Sequence, residues 1–509
     1  MPNALIELKG IAKSFAGVHA LKDVSLRIDQ GEIHCLAGEN GCGKSTLIKV
    51  MSGVHAPDHG EIYLEGQLRT QLNPFEAIQA GIQVIYQDFS VFPNLSVAEN
   101  IALSGELARR RKWIDWRRMR RTAKEALAKV GIELDLDAKV EELSVADKQL
   151  IAISRALMQR AKLIVMDEPT TALTQKEVRA LFDVIEGLKR DGISILFVSH
   201  KLEEVFALSE RITVMRNGRR VVTEEARNLN REMLVYHMTG RQIEETHYEA
   251  ANKTGKPLLR TDRLGLAGCF EEISLELYPG EIVGLTGLLG SGRTELAESL
   301  FGLLPATAGR IEIGGESVRI RSVRDAVRHR IAYVPEDRLT EGLFLQQSIE
   351  RNLIVSVVDR QKGRLGMVDR RTLKATVRSW IEKLGIKAPS PLAPVKTLSG
   401  GNQQRVVLAR WLAANPKLLI LNGPSVGVDI GSKEDIHQAI RQLAAQGIGV
   451  LMISDDLPEL RQNCNRVLVM KRGRLIGEVE GQTFTPELWA QMHEENAGSE
   501  TEGKRGDSA

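Results

Sequence analysis

Residues 38–46 have the composition and spacing of a loop that binds the phosphate groups of a nucleotide. They fit the pattern G-x-x-x-x-G-K-[ST] with the residues Gly38, Glu39, Asn40, Gly41, Cys42, Gly43, Lys44, Ser45 and Thr46. Glycines let the backbone curl around an anion, so that its N–H groups and the next helix N-terminus face the phosphates. In this pattern Lys44 reaches the β- and γ-phosphates, and Ser45 is a ligand of Mg²⁺. The segment therefore predicts a site for ATP and Mg²⁺.

Two adjacent carboxylates follow an apolar run at residues 163–166. Ligands of open α/β sheets bind at the carboxyl ends of the strands, so Asp167 and Glu168 are expected beside the nucleotide. We expect Asp167 to hold Mg²⁺ through water and Glu168 to act as general base toward the attacking water. By position, Gln87 is a candidate ligand of Mg²⁺ and of this water, and His200 is a candidate contact of the γ-phosphate.

A second, altered phosphate loop lies at residues 287–294. Gly287 and Gly292 keep the glycine positions, Arg293 replaces the lysine, and Thr294 follows it. Matched landmarks lie 249 positions apart in the earlier part of each copy and 255 apart in the later part. These pairs are Gln87 with Glu336, Ser144 with Ser399, Asp167 with Asn422, Glu168 with Gly423, and His200 with Asp455. The chain is therefore predicted to be a duplication of a whole domain, with one loop of different length.

The elements that position these residues follow from hydrophobic patterning. Apolar runs at 33–37, 163–166 and 193–198 are typical of short buried parallel strands, and residues 44–51 are predicted to form the helix after the phosphate loop. Between the last two runs an amphipathic helix is predicted to open with a capping box at 174–177 and to end at Asp191 and Gly192. Strands that alternate with helices indicate the α/β class.

Bulk composition excludes several classes of protein. The 509 residues carry a net charge of +3, which argues against a dedicated nucleic-acid binder. No apolar run approaches the roughly 18 residues of a membrane span, and the first residues lack a secretion signal. The four cysteines form no C-x-x-C pair, which favours a reduced, cytosolic compartment. A basic stretch with two tryptophans at 108–121 is interpreted as a solvated helical face, with contact to anionic lipid as the alternative.

The segment Leu398-Ser399-Gly400-Gly401-Asn402-Gln403-Gln404 resembles the signature of ABC transporters. With the phosphate loop, Gln87, Asp167, Glu168 and His200, the chain resembles, over about residues 4–480, the fused two-module ATPase subunit of bacterial monosaccharide importers of the ribose, xylose, arabinose and galactose types. The resemblance implies two tandem α/β ABC modules, each with a mixed sheet core and a helical subdomain. We predict modules at 1–240 and 258–495, a linker at 241–257 and a disordered tail at 496–509.

The resemblance also implies partners and a location. ATP and Mg²⁺ would be the cofactors, and two integral-membrane permease subunits would be the direct partners. A periplasmic solute-binding protein would be an indirect partner, and the protein would lie peripherally on the cytoplasmic face of the bacterial inner membrane. One alternative is a soluble twin-module ABC ATPase that acts on ribosomes or nucleic acid, although no nucleic-acid partner is expected. Another is an importer of nucleosides or polyols.

In the family that the chain resembles, two modules pack head to tail, and each nucleotide lies between one phosphate loop and the opposite signature. Site one would combine the first loop, Gln87, Asp167, Glu168 and His200 with Ser399, Gly400, Gly401, Asn402 and Asp429. Phe15 would stack on adenine, with a core role as the alternative. Site two would combine Gly287, Gly292, Arg293, Thr294, Glu336, Asn422, Gly423 and Asp455 with Ser144. Because the altered residues collect in site two, we predict that only site one hydrolyses ATP.

Overall fold

The computed structural model divides into two compact units, Met1–Ile243 and Glu244–Ala509. It describes residues 4–15, 17–69, 72–86, 91–107, 113–170, 173–199, 201–242, 247–249, 255–288, 290–358, 370–485, 487–489 and 492. Gln87, His200 and the predicted tail lie outside these residues, as does much of the predicted linker. Among the described residues, none of the helices combines the length and the apolar character needed to cross a membrane.

In the first unit, short strands and helices alternate after an initial pair of long strands. The strands are β1 (Ala4–Phe15), β2 (Val18–Asp29), β3 (Ile33–Gly38), β4 (His59–Leu64), β5 (Gln67–Arg69), β6 (Ile82–Ile85), β7 (Leu163–Asp167), β8 (Ser194–Val198), β9 (Arg211–Arg216) and β10 (Arg219–Glu225). The helices are α1 (Lys44–Met51), α2 (Pro74–Gln79), α3 (Val97–Leu107), α4 (Trp116–Val130), α5 (Val145–Met158), α6 (Gln175–Arg190), α7 (Leu202–Leu208) and α8 (Arg231–Thr239).

The strands of the first unit form two sheets. The described strands of the larger sheet have the order β10-β9-β3-β8-β7-β6, in which β3 is parallel to both β8 and β9. The smaller, antiparallel sheet has the order β2-β1-β4-β5. Its inner face packs on β3 and α1 through buried leucines and isoleucines. This arrangement brings the ends of β3 and β7, and with them the predicted phosphate loop and Asp167, to one edge of the larger sheet.

The predicted local elements of the first unit are confirmed. Helix α1 has the predicted bounds, and β3, β7 and β8 match the predicted strands to within one residue. Helix α6 opens with the predicted capping box, since Thr174 accepts from the Glu177 N–H and Glu177 accepts from the Thr174 N–H. Helices α3, α4 and α5 pack around their own apolar cluster and form a helical subdomain.

The second unit repeats this plan. Its strands are β11 (Leu259–Leu266), β12 (Phe270–Leu277), β13 (Ile282–Gly287), β14 (Ala308–Ile313), β15 (Glu316–Val318), β16 (Ile331–Val334), β17 (Leu418–Asn422), β18 (Gly449–Ile453), β19 (Arg466–Lys471) and β20 (Arg474–Glu480). Its helices are α9 (Arg293–Phe301), α10 (Val323–Arg328), α11 (Ile349–Ile354), α12 (Arg370–Lys383), α13 (Gly400–Leu412), α14 (Ile430–Ala445) and α15 (Leu457–Asn463).

The two sheets of the second unit have the same strand order as those of the first. Among the described strands the larger sheet runs β16-β17-β18-β13-β19-β20 and the smaller one β12-β11-β14-β15. The predicted duplication and the α/β class with mixed sheets are thereby confirmed. Within the predicted linker, His247 and Tyr248 hydrogen-bond to Arg461 and Gln462 of α15 in the second unit.

Candidate nucleotide sites

The first phosphate loop has a backbone that only glycine can adopt at several positions. Gly38, Gly41 and Gly43 have φ angles of 153°, 78° and 109°. A Cβ atom on Gly38 would lie 2.4 Å from the carbonyl oxygen of Met215, and one on Gly43 would lie 2.7 Å from that of Ala20. Gly38 and Gly43 are therefore needed for the loop to pack against its own module, in addition to their predicted approach to phosphate.

Lys44 lies folded over this loop. Its side chain is buried, and its Nζ donates to the carbonyl oxygens of Gly38 at 2.7 Å and Glu39 at 3.0 Å. Among the described residues no carboxylate forms an ion pair with it. The ammonium at the mouth of the loop thus contacts two carbonyl oxygens and the Cys42 sulfur but no carboxylate among the described residues, which leaves it suited to bind an incoming phosphate.

The predicted magnesium ligands of the first module lie together. The Ser45 hydroxyl donates to Asp167 Oδ2 at 3.5 Å, across the gap between α1 and the end of β7. Burial and the neighbouring charge of Glu168 raise the pKa of Asp167, while Lys44 opposes this shift. A hydroxyl beside a carboxylate is a donor set that fits Mg²⁺, and the cation would favour the ionised form of Asp167.

Glu168 directly follows β7 and occupies an unusual backbone position. Its φ angle is 50°, in the left-handed region that non-glycine residues rarely adopt, and its N–H donates to the carbonyl oxygen of Val198. Strained backbone of this kind persists where the surrounding structure requires it, often at functional sites. The geometry sets Glu168 beside Asp167 at the sheet edge, as predicted.

Cys42 and Phe15 have different surroundings. Cys42 is buried, its Sγ lies beneath Gly38, and burial raises the pKa of its thiol although Lys44 opposes the shift. Phe15 is 40% exposed and contacts the His55 ring edge-on at 5.1 Å between centroids. The alternative of a core role for Phe15 is therefore wrong, and its contact with adenine stays a prediction.

The phosphate loop of the second module keeps the fold but not the free cation. A Cβ atom on Gly287 would lie 2.4 Å from the Met470 carbonyl oxygen, the same distance as between a Cβ atom on Gly38 and the Met215 carbonyl oxygen. Arg293 Nη1 donates to the Gly287 carbonyl oxygen at 2.7 Å. Both terminal nitrogens of Arg293 also pair with the carboxylate of Asp455, Nη2 to Oδ2 at 2.6 Å. The cation of the second loop is thus paired with a carboxylate, whereas Lys44 of the first loop has no carboxylate partner among the described residues.

Asn422 and Gly423 lack the negative charges of their counterparts Asp167 and Glu168. The Asn422 amide donates to Thr294 Oγ1 at 3.4 Å, in the place of the Asp167 and Ser45 pair. Gly423 has a φ angle of 59°, close to that of Glu168, so the backbone is kept while the carboxylate is absent. A cavity of about 370 Å³ adjoins these residues and is lined by Thr294, Glu298, Glu336, Asp337, Glu341 and Asn422 among others. Burial and the charges of Glu341 and Glu295 raise the pKa of Glu298 in this cavity.

The two signature serines differ in what their hydroxyl groups contact. Ser144 caps α5, because its Oγ accepts from the Asp147 N–H at 3.1 Å and donates to Asp147 Oδ2 at 2.7 Å. Ser399 makes no such cap on α13; its Oγ accepts from the Asn402 amide at 2.9 Å. Among the described residues the hydroxyl proton of Ser399 has no acceptor. The start of α13 therefore presents a donor to an anion, whereas the start of α5 presents a carboxylate.

The remaining predicted residues of the second signature are packed within their own module. A Cβ atom on Gly401 would lie 2.3 Å from Ser432 Oγ, and one on Gly400 would lie 2.8 Å from Arg338 Nη2. Asp429 is buried and caps α14 by accepting from the Ser432 N–H at 2.9 Å. Gly401 is thus required by packing inside the second module, a requirement that the sequence pattern did not reveal.

Sequence comparison gives matches over both modules. The profile of the ABC transporter family matches residues 21–171 and 270–426. The chain is 39% identical to the ribose import ATP-binding protein RbsA of Caldanaerobacter subterraneus subsp. tengcongensis, over 95% of this chain and 97% of that protein. It is 42% identical to ribose import ATP-binding protein RbsA 2 of Streptomyces avermitilis, over 96% of each. It is 39% identical to a putative ribose/galactose/methyl galactoside import ATP-binding protein of Ralstonia nicotianae, over 94% of this chain and 92% of that protein.

Solved structures of single cassettes also match. One is the ADP conformation of an ATP-binding cassette of an ABC transporter, with 28% identity, a TM-score of 0.41, and coverage of 46% of this chain and 94% of that one. Another is a dimeric post-hydrolysis state of a cassette bound to ADP and Pi, with 27% identity, a TM-score of 0.40, and coverage of 44% and 100%.

Proposed function

The chain belongs to the ABC transporter family, and we propose that it is the subunit that hydrolyses ATP to power import of a monosaccharide or a related small polar solute through a partner permease. Relatives that align over almost the whole chain are import ATP-binding proteins, and ribose occurs in the names of those compared above. The observation that carries the ATPase assignment is the first loop, where buried Lys44 lacks a carboxylate partner among the described residues and Ser45 lies beside Asp167.

The proposed productive site joins the first phosphate loop to the signature of the second module. Lys44 and the loop N–H groups hold the β- and γ-phosphates, and Ser399 donates its hydroxyl proton to the γ-phosphate. Gly400, Gly401, Asn402 and Asp429 are the further nucleotide-binding residues that we propose from the second module. Phe15 contacts adenine. The support is the contrast at the two signatures, since only the start of α13 offers an unpaired donor without a carboxylate beside it.

The proposed reaction is attack of water on the γ-phosphorus of ATP. Glu168 accepts the proton of this water as the new oxygen–phosphorus bond forms and the bond to the bridging β–γ oxygen breaks, which gives ADP and phosphate. Gln87 orients the water and His200 donates to the γ-phosphate. Ser45, Asp167 and Gln87 would hold Mg²⁺, which supplies charge neutralisation for the phosphates when bound.

The second site is proposed not to hydrolyse ATP. It lacks the base at Gly423 and the anionic ligand at Asn422, and Arg293 is paired with Asp455 rather than open to phosphate. Its signature partner, Ser144, has a hydroxyl bonded to Asp147. Whatever binds there is therefore held without turnover, which is consistent with a structural role for this half.

The proposed direct partners are two integral-membrane permease subunits, whose transport ATP hydrolysis powers. A periplasmic solute-binding protein is proposed as an indirect partner. The proposed location is the cytoplasmic face of the bacterial inner membrane. The soluble twin-module alternative is not favoured, because the relatives compared above are named as import proteins.

The test is reconstitution of the chain with its permease in liposomes that enclose ATP and Mg²⁺. We expect uptake of one labelled sugar among ribose, xylose, arabinose and galactose, driven by the solute-binding protein and abolished by Lys44→Ala. ATP turnover that ribosomes or RNA stimulate, with uptake absent for the whole panel of sugars, nucleosides and polyols, would contradict the proposal.

A further inference from the structure

Arg338 lies at the junction of three segments of the second module. It begins a short helical turn, Arg338–Gly342, two residues after Glu336. Asp337 fixes this turn, because its Oδ1 accepts from the Leu339 N–H at 2.8 Å and its Oδ2 accepts from the Thr340 hydroxyl at 2.7 Å. The backbone that carries Arg338 is therefore tied down, and its long side chain extends from a defined point.

The guanidinium of Arg338 binds the loop that leads to Asp429. Nη1 donates to the carbonyl oxygen of Val426 at 2.7 Å, and Nη2 donates to that of Gly427 at 3.1 Å. Among the described residues it forms no ion pair with a carboxylate. Two successive carbonyls are thus fixed by one planar group, which restrains both the position and the direction of this loop.

The same guanidinium lies against the start of α13. Its Nε donates to Gln403 Oε1 at 3.4 Å, and Gln403 in turn donates to the Leu398 carbonyl oxygen at 3.2 Å. A Cβ atom on Gly400 would lie 2.8 Å from Nη2, so the glycine leaves room for the arginine. Arg338 therefore lies beside Gly400, which follows Ser399, and reaches Leu398, which precedes it, only through Gln403.

The first module has no equivalent of this contact by sequence. At the spacing of 249 the counterpart of Arg338 is Phe89, which has no hydrogen-bond donor in its side chain, and the counterpart of Gly400 at the spacing of 255 is Val145. The arginine and the glycine that accommodates it occur together in the module whose signature serves the proposed productive site.

We propose that Arg338 is a positioning residue for ATP hydrolysis at the first site, which holds the segment of Ser399 and the loop of Asp429 in one fixed relation. This inference rests on the proposed function. Arg338 acts through these segments and does not contact the reacting atoms.

The test compares ATP turnover of the whole chain with its permease for the variants Arg338→Ala, Arg338→Lys and Ser399→Ala. Arg216→Ala is the matched control, because Arg216 Nη1 also donates to two successive carbonyls, those of Tyr236 and His237, and also lies on a glycine, Gly240. The readouts are kcat, KM for ATP, and the midpoint of thermal unfolding.

We expect Arg338→Ala to lower kcat about 10- to 100-fold, the effect of misplacing a catalytic group by about 1 Å. KM for ATP should change less than about threefold, because the first phosphate loop is intact. Arg338→Lys should recover part of kcat, since an ammonium donates to these carbonyls without the planar fork. Arg216→Ala should keep the kcat of the unmodified chain.

Each other outcome overturns the inference in a recognisable way. If Ser399→Ala lowers kcat and Arg338→Ala does not, the positioning role is wrong while the proposed function stands. If neither lowers kcat, the proposed composite site fails and the inference fails with it. If Arg338→Ala and Arg216→Ala lose kcat and unfolding temperature equally, Arg338 has only a general role in stability. Should Arg338→Ala fail to fold, Arg338→Lys decides, and an unchanged kcat in that folded variant overturns the proposal.

Discussion

The two phosphate loops share the packing of their first glycine and differ in the ion pairing of the side chain that follows the last glycine, since Arg293 is paired with a carboxylate and Lys44 is not paired with one among the described residues. Gly38 and Gly287 both lie against a methionine carbonyl, and both loops lead into a helix at the same sheet position. Lys44 caps carbonyl groups of its own loop, whereas Arg293 is bound to Asp455. The second module thus keeps the fold of the first while the charges at a few side chains of its phosphate site differ.

The contrast extends to the catalytic pair. Glu168 and Gly423 share a left-handed backbone, but only Glu168 carries a carboxylate. In the second module glycine relieves the strain that the first module tolerates. The strain at Glu168 is therefore consistent with retention of this carboxylate for function rather than for stability.

Replacement of the proposed base should have the largest effect. Glu168→Gln is expected to lower kcat about 10²- to 10⁴-fold, because the amide cannot accept the proton of the attacking water. ATP binding should persist, since Lys44 and the loop are unchanged. The ATPase rate measures the loss of kcat, and bound radiolabelled nucleotide measures ATP binding. If the variant turns over ATP at the rate of the unmodified chain, Glu168 is not the general base.

The signature serines should rank next. Ser399→Ala is expected to lower kcat about a hundredfold, the usual effect of removing one donor from a developing anion. Ser144→Ala should leave turnover close to that of the unmodified chain, because its hydroxyl is already bonded to Asp147. Steady-state assays of both variants with the permease make the comparison, and equal losses would mean that both signatures serve hydrolysis.

Asp455→Ala should have a moderate effect on the second site. With Lys44→Ala in the same chain, we expect this change to strengthen nucleotide binding by the second module about three- to fivefold, the weight of an exposed ion pair. The reason is that Arg293 no longer has a competing carboxylate. Titration with a fluorescent ATP analogue measures the affinity of the second module for nucleotide. Asp456→Ala is the control, because the neighbouring Asp456 carboxylate pairs with Lys433 and not with Arg293. Weaker binding in the Asp455 variant would show that this carboxylate supports nucleotide.

Cys42→Ser should have the smallest effect. Ser291 occupies the corresponding place beneath Gly287 in the second loop, so serine fits this position. Turnover should be nearly unchanged, while the free energy of unfolding falls by about 1 kcal/mol because a buried hydroxyl replaces a thiol. A large loss of turnover would mean that the thiol has a role in the reaction.

A related measurement is alkylation of Cys42 in the unmodified chain. It should be slow at neutral pH, because burial raises the pKa of the thiol, and it should be slower still with saturating ATP. A rate that ATP leaves unchanged would place Cys42 away from the nucleotide.

Sequence patterns predicted the local elements and the duplication well, because these depend on nearby residues. The bounds of α1 and the capping box at Thr174 follow from spacing alone. The pairing of Arg293 with Asp455 did not follow, because it joins side chains 162 positions apart. The contacts of Arg338 with Val426 and Gly427 span 88 and 89 positions and have no local pattern. The sequence did contain a signal for the packing of the two phosphate loops. Met215 and Met470, whose carbonyl oxygens lie against Gly38 and Gly287, are 255 positions apart, as the later landmarks are.

The most direct test of one productive site is the ATP turnover of Lys44→Ala and Arg293→Ala, each assembled with the permease. Lys44→Ala should abolish turnover, because the first loop loses the lysine that binds phosphate, whereas Arg293→Ala should retain most of it. Equal loss of turnover in the two variants would show that hydrolysis is not confined to the first site.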